Sequence, residues 1–430
     1  MAETSCDVIV VGGGPGGSTA AALLAHRGRN VVLLEKEKFP RFHIGESLLP
    51  FNMDVFRELG VEEQLEAAGF VKKFGAEFCA GNGVGGFTFR FRNGLIPGYG
   101  MAYQVLRSEF DHILLKQAAT RGADVREEHT VKDVRFDPDG VEVSATRADG
   151  SSLTVRAPMV VDASGRGTLL ANKFRSKEVI TRLRKLSIFA HYEGGYRGPG
   201  EDAGNITIVR IPGEDWFWMI PLANNRLSVG LVTDRERLQS SGLDPDAFFL
   251  KTIESTLVVR ERLKDARRVS EIRRTSDFSY QSRVFAGDRY LMVGDAAAFL
   301  NPIFSAGVYI AMKSAHLAVD PIERAFARKD FSRSMFTGYE RQLRKHFKGY
   351  FGMIYKFYEP AFLDLFLHPG DTFSIQKGVI SALAGRMDGD WRIRWRMNLF
   401  YFLVWLQKRV TLSPRIDLTS TPSSLQGVKV

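Results

Sequence analysis

Two hydrophobic rhythms run along this chain. Asp7 to Val11 is a short β-rich run that breaks into Gly12-Gly13-Gly14-Pro15-Gly16-Gly17. Ser18 to Arg27 is rich in alanine and leucine and stops at Gly28, as a helix would. Asn30 to Leu34 reads as a second strand, closed by Glu35. Residues 87–92, 131–145 and 152–162 carry strand patterns, with turns at Asp139-Gly140 and Asp149-Gly150. Residues 187–233 alternate like an antiparallel sheet, and residues 247–263 look helical. Tyr290 to Val293 is another buried strand, followed by a glycine turn and a helix near 306–318. From Phe331 onward the pattern is mostly helical. This order predicts an α/β (α+β) chain. A Rossmann-type domain is assembled from segments at about 1–75, 101–178 and 278–330. An antiparallel β-sheet domain, about 76–100 and 179–277, is inserted into it. A helical C-terminal lobe follows at 331–430.

Gly12, Gly14 and Gly17 make a G-x-G-x-x-G between strand and helix. The first glycine permits the tight turn, the second lets backbone approach a pyrophosphate, and the third lets helix and strand pack closely. The helix start, with Pro15 and Gly16, then presents free N–H groups and a positive dipole end to an anion. Glu35, at the end of the next strand, stands where a carboxylate accepts from ribose hydroxyls. Gly81, Gly83 and Gly86 fit the same spacing, but Phe87-Thr88-Phe89-Arg90-Phe91 follows them, which is a strand. A glycine-rich hairpin is the better reading, and no built-in NAD(P)H site is expected. Asp162 ends a strand in a small-residue turn, and Gly294-Asp295 follows another strand and precedes a helix. A second strand-end acid beside a helix start suits the ribityl and phosphate part of FAD, with Arg107 as a nearby cation.

Composition narrows the class. The 430 residues are 44% hydrophobic and 25% charged, which excludes disorder and collagen-like repeats. Two cysteines, Cys6 and Cys79, make neither a disulfide framework nor a metal site, so a cytoplasmic home and no metal are expected. The late apolar run Met397 to Leu406 is too short to span a bilayer, so no transmembrane segment is expected. The charge is lopsided: residues 331–430 hold fifteen Lys/Arg against seven Asp/Glu, a net +8 of the chain's +10. The same stretch carries ten Phe, five Tyr and three Trp. A nucleic-acid partner has the charge but no motif. A membrane surface, an acidic protein or a plain helical lobe also fit, with Trp391-Arg392-Ile393-Arg394-Trp395-Arg396 mixing cations and indoles.

The motifs together resemble flavin-dependent halogenases, relatives of the p-hydroxybenzoate-hydroxylase-type flavoproteins. The closest likeness is to bacterial enzymes acting on phenols or carrier-protein-bound aromatic groups, and it covers about residues 5 to 330. Arg41 to Pro50, RFHIGESLLP, carries part of it. Trp216-Phe217-Trp218-Met219-Ile220-Pro221 carries the family's W-x-W-x-I-P signature. The resemblance implies that FAD is held by Gly12, Gly14, Pro15, Gly16, Gly17, Glu35, Lys36, Arg41, Glu46, Ser47, Arg107, Asp162, Gly294, Asp295 and Val308. It implies that Trp216 and Trp218 wall the flavin off from substrate. Lys73, two residues before Gly75, aligns with the essential lysine. Asn301-Pro302-Ile303-Phe304-Ser305-Ala306-Gly307 corresponds to the halide loop, with chloride or bromide at the backbone of Ala306 and Gly307. Related phenolic enzymes often have Asp at 301 and a hydroxyl at 306. Phe304 stands where tryptophan-type relatives carry a glutamate, which favours a phenol-like or other electron-rich substrate.

The implied chemistry is FADH2- and O2-dependent halogenation, with chlorination expected, of an electron-rich aromatic such as a phenol or pyrrole. That substrate is free or tethered to an acyl or peptidyl carrier protein, in natural-product biosynthesis. With one dinucleotide motif, the reduced flavin is expected from a separate flavin reductase. The rival readings are a flavin monooxygenase or reductase that does not halogenate, and a non-catalytic flavin-binding docking protein.

Overall fold

The computed structural model describes residues 2–370, 372–387 and 390–420. Strand Val8–Val11 ends at Gly12, and helix Pro15–His26 begins with Gly14 as its cap. Gly12 has φ +105°, and a Cβ there would lie 2.3 Å from the Ala163 carbonyl oxygen, so only glycine makes this turn. A Cβ on Gly17 would lie 1.8 Å from the Gly12 oxygen, and its lack lets the helix lie on the strand. Pro15 opens the helix where its missing N–H has no partner to lose.

Val8–Val11 is central in a six-stranded sheet ordered 286–287, 290–292, 159–162, 8–11, 31–34, 124–126. All its pairings are parallel except that of the 286–287 edge. That explains the uninterrupted apolar strands, which are covered on both faces. A four-stranded sheet joins Ala2–Ser5 to the strands 152–157, 140–147 and 129–137. The third sheet has nine strands, among them Gly75–Ala80, Lys177–Glu193, Ile206–Arg210, Trp216–Pro221 and Arg226–Asp234. It is antiparallel apart from the pairing of Ile206–Arg210 with Gly75–Ala80. The Gly81/Gly83/Gly86 segment is the turn of its first hairpin, with Gly75 opposite Arg90.

Alternation gives the large sheet two different faces. Phe217 and its neighbours pack with helices Pro245–Ser255 and Leu257–Leu263 in a separate core. The single helix expected over 247–263 is broken at Thr256, whose backbone is extended. Trp216 and Trp218 face the other way, into the main core. The C-terminal helices Thr337–Phe357, Pro360–Leu367, Ile375–Leu383 and Trp391–Gln407 share that main core through Phe347, Phe357, Phe362, Phe400 and Val404. Most of the aromatic excess of this quarter is therefore interior. Tyr358 accepts the indole N–H of Trp216 at 3.2 Å, tying the helices to the sheet. Among the described residues, no helix is long and apolar enough to cross a membrane.

Candidate active site

Where the six-stranded and nine-stranded sheets meet, a cavity of about 510 Å³ opens. Of the residues singled out from sequence, Gly12, Gly14, Pro15, Gly16, Glu35, Lys36, Arg41, Glu46, Ser47, Arg107, Trp216, Trp218, Gly294, Asp295, Gly307 and Val308 line it. Gly17, Lys73, Asp162 and Ala306 stand behind its wall. Gly17 is in the helix–strand contact. Asp162 is fully buried and is spent on local structure: its oxygens accept from Ser164 N at 2.9 Å and Leu170 N at 2.8 Å.

Charge around the glycine turn is fixed by pairing. Glu35 lines the cavity, with its oxygens already accepting from Gly13 N at 2.6 Å and Glu37 N at 2.8 Å. Arg107, expected as a cation near the cofactor, lines the cavity and grips buried Asp111 through two nitrogens, at 2.7 and 2.9 Å. Its third nitrogen donates to Ile44 O at 2.7 Å, bracing the loop before Glu46. Arg41 reaches the same carboxylate at 2.9 Å. Burial alone would push the Asp111 carboxyl up, but Arg107 and Arg41 outweigh it and hold it low. Asp295 has no such clamp. Burial pushes it up to about 6 against the pull of Arg166 and Arg107. Burial and Arg107 lower His43, in the same wall, to about 4.

Lys72 and Lys73 part company on a three-residue strand, Val71–Lys73, that pairs with Ala102–Gln104. Period-two geometry sends Lys72 outward to an ion pair with Glu66 at 2.7 Å, and Lys73 inward to 2% exposure. Lys73 Nζ donates to Ser47 Oγ at 2.9 Å and Leu48 O at 3.1 Å, and lies 5.3 Å from the Phe91 ring centre. These are neutral acceptors, and burial brings the amine down to about 7. Gln104 sets the spacing, pairing with Val71 on one side and bridging to Ser47 on the other. Ser47 thus faces the cavity and touches Lys73, one residue deep in the wall between them.

In the loop 301–307, Asn301 accepts from Ile303 N at 3.3 Å, the capping role an aspartate would play. Its Nδ2 is buried without a partner among the described residues. Ser305, at φ +56°, turns the chain into the cavity wall just before helix Gly307–Arg328. The hydroxyl of this loop is therefore at 305, while Ala306 is buried at the helix cap. The first N–H groups of that helix have no intrahelical acceptor. Phe304 is packed against Phe78 and Phe357. Trp216 and Trp218 lie 6.1 Å apart on one strand face, and Trp218 donates to Ser228 Oγ at 3.2 Å.

One site partner was missed from sequence. His191 Nε2 lies 2.8 Å from Glu46 Oε1, across 145 residues. The alternation of 187–233 held the signal, because His191 is on the same strand face as cavity-lining Ser187.

Residues 5–327 match the family described as FAD binding domain. The chain is 33% identical to the 1H-pyrrole-2-carbonyl-[peptidyl-carrier protein] chlorinase of Pseudomonas fluorescens, over 83% of this chain and 84% of that one. It is 34% identical to the corresponding brominase of Pseudoalteromonas luteoviolacea, over 77% and 81%. A solved flavin-dependent brominase, 29% identical, superposes with a TM-score of 0.83 over 94% of this chain and all of that one.

Proposed function

The chain belongs to the flavin-dependent halogenases, FAD-dependent oxidoreductases, and on that footing we propose that its acceptor is an electron-rich aromatic ring, a pyrrole or a phenol, presented on a carrier protein. The cavity suits FAD on its own terms. Its glycine turn is open at Gly14, where a Cβ would meet no protein atom nearer than Arg41 at 3.8 Å, and buried Glu46 Oε2 has no partner among the described residues. The N–H groups of Gly14, Gly16 and Gly17 at the helix start would take the diphosphate, with Arg41 at its side. Glu35 would accept from a ribose, and Gly294-Asp295 would meet the middle of the cofactor. Bound and reduced by a separate flavin reductase, FAD supplies with O2 the oxidising power that makes halide electrophilic.

The protein's own residues do the rest. The helix start at Gly307, with the Ala306 and Gly307 N–H groups, would hold the halide. Trp216 and Trp218 keep the acceptor out of the flavin cavity. Lys73 receives the electrophile and steers it to the ring. One observation carries this reading: a fully buried lysine with two neutral oxygen partners, one of them Ser47 of the cavity wall. Such an amine can donate a hydrogen bond or react, where an ion-paired one would be held. Phe304, in apolar surroundings, offers no carboxylate to activate a ring, which suits a ring already rich in electrons.

The test supplies FAD, a flavin reductase, O2 and chloride or bromide, with either a carrier-bound pyrrole-2-carbonyl group or a free phenol. Mass spectrometry should find a halide-dependent halogen on the tethered ring. A hydroxylated product formed regardless of halide would sink the proposal, and halide competition decides between chloride and bromide.

A further inference from the structure

Helix Trp391–Gln407 carries two apolar stripes on opposite sides. Ile393, Met397, Phe400, Val404 and Gln407 form the inner one and are buried. Phe400 packs on Phe362 at 5.2 Å, and on the same helix as Phe362, Phe366 meets Phe78 at 4.8 Å in the strand that follows Lys73. Gln407 Nε2 donates to Asp364 Oδ2 at 3.0 Å, and Ile416 N to its Oδ1 at 2.9 Å, fixing the helix and the turn after it. The orientation of the helix is thus fully determined by its inner stripe. The outer stripe runs Trp391, Asn398, Phe402, Trp405 and on past the helix end to Leu412. Trp391 is 67% exposed, Phe402 52% and Trp405 46%. Five of the twelve exposed large apolar side chains among the described residues fall between 391 and 412.

Exposed aromatic side chains gathered on one helix face mark an interaction surface, so the outer stripe calls for a cover. The cations beside it say of what kind. Six arginines and lysines and no Asp or Glu lie between Trp391 and Ile416; Arg392 pairs with Asp390 and Lys408 with Glu359, and Arg394 and Arg409 stand exposed on the outer side. Arg409 stacks on Trp405 at 3.9 Å, and Phe402 stacks on Trp405 at 5.6 Å, so the ring-and-cation cluster is preformed. Trp and Arg in excess, little Lys and no acid is the composition of a protein–protein hot spot. A second copy would set these cations against their own kind.

We propose that the outer face of helix Trp391–Gln407 docks an acidic surface of the carrier protein that brings the substrate. The inference rests on the tethered-substrate reading above. Its place fits: the face stands on the helix pair that packs over the hairpin beside Lys73.

The full chain, loaded with FAD, is assayed on the carrier-tethered pyrrole and on a free phenol at low and high salt. In Arg394→Glu/Arg409→Glu, and separately in Trp405→Ala, KM for the tethered ring should rise about tenfold or more, most strongly at low salt for the charge reversal. Turnover on the free phenol and the melting temperature should not move. Equal KM in variants and parent overturns the docking surface while leaving the tethered reading intact. A parent enzyme that halogenates only the free ring overturns both. Two other results would also overturn it: a solution dimer split by Trp405→Ala, or a tryptophan-dependent pull-down on phosphatidylserine/phosphatidylcholine vesicles, each with carrier KM unchanged.

Discussion

The glycine cradle and the Lys73 pocket lie on either side of one serine and handle charge in opposite ways. Around the cradle, Asp111 holds Arg107 and Arg41, and Glu35 takes two backbone N–H groups. Around Lys73 the partners among the described residues are two neutral oxygens and the face of the Phe91 ring, with no carboxylate. Paired charges keep their protonation state and fix geometry. An unpaired buried amine keeps its proton loosely. The contrast supports the proposal of binding on one side of Ser47 and reaction on the other.

Breaking the reactive side should have the largest effect. Lys73→Met is expected to cut halogenation by roughly 10²–10⁴-fold while flavin absorbance of the purified protein stays the same. The variant also tests the charge directly. The amine titrates near 7 when folded and at its ordinary 10.5 when unfolded, so protonation favours the unfolded chain. That cost is fully present below about pH 7 and fades as pH rises towards 10.5. Lys73→Met should therefore melt above the parent at about pH 6, with the gap narrowing by about pH 9.5. A gap that ignores pH would mean that the lysine is not strained by burial.

Breaking the paired side should unfold rather than disarm. Asp111→Asn leaves buried Arg107 without its carboxylate and Arg41 with Glu37 alone, and should cost about 3–5 kcal/mol in urea denaturation, with loss of flavin retention. Stability within 1 kcal/mol of the parent would show the pairing to be dispensable.

The serine between them gives the smallest and sharpest test. Ser47→Ala removes one acceptor that favours the ammonium form, worth about 1.5 kcal/mol or a tenfold loss of rate. The Lys73-dependent limb of the pH–rate profile should move to lower pH. Ser47→Thr should restore both, and a purely structural role would leave the limb in place.

What could be read without coordinates was whatever is local. Gly12, Gly14 and Gly17 announce their turn because their spacing lies between a strand and a helix adjacent in sequence, and Gly17 is demanded by the Gly12 oxygen in the same unit. The hairpin at Gly81 to Gly86 was legible from the phenylalanine alternation after it. The split between Lys72 and Lys73 follows from period two, once the strand is placed. The partners were not legible. Ser47 meets Lys73 only because Gln104 bridges them, and Glu46 meets His191 from another sheet. Arg107 shows what such blindness leaves out: a cation expected near the cofactor lines the cavity, but its guanidinium is also committed to Asp111 one helical turn away. The basic quarter, too, looked like one property and proved to be two, an interior set of aromatics and an outward set.

Helices Pro15–His26 and Gly307–Arg328 lie side by side and point the same way. Gly16 rests against Ala311, and further along Arg27 and Arg29 pair with Asp320 and Glu323. Parallel dipoles placed so repel one another, most of all at the two positive ends, and both ends open on the same cavity. An anion set across them offsets that repulsion. Loading the cavity and completing the fold are then parts of one equilibrium, with the anion a strut between two helix ends that push apart on their own.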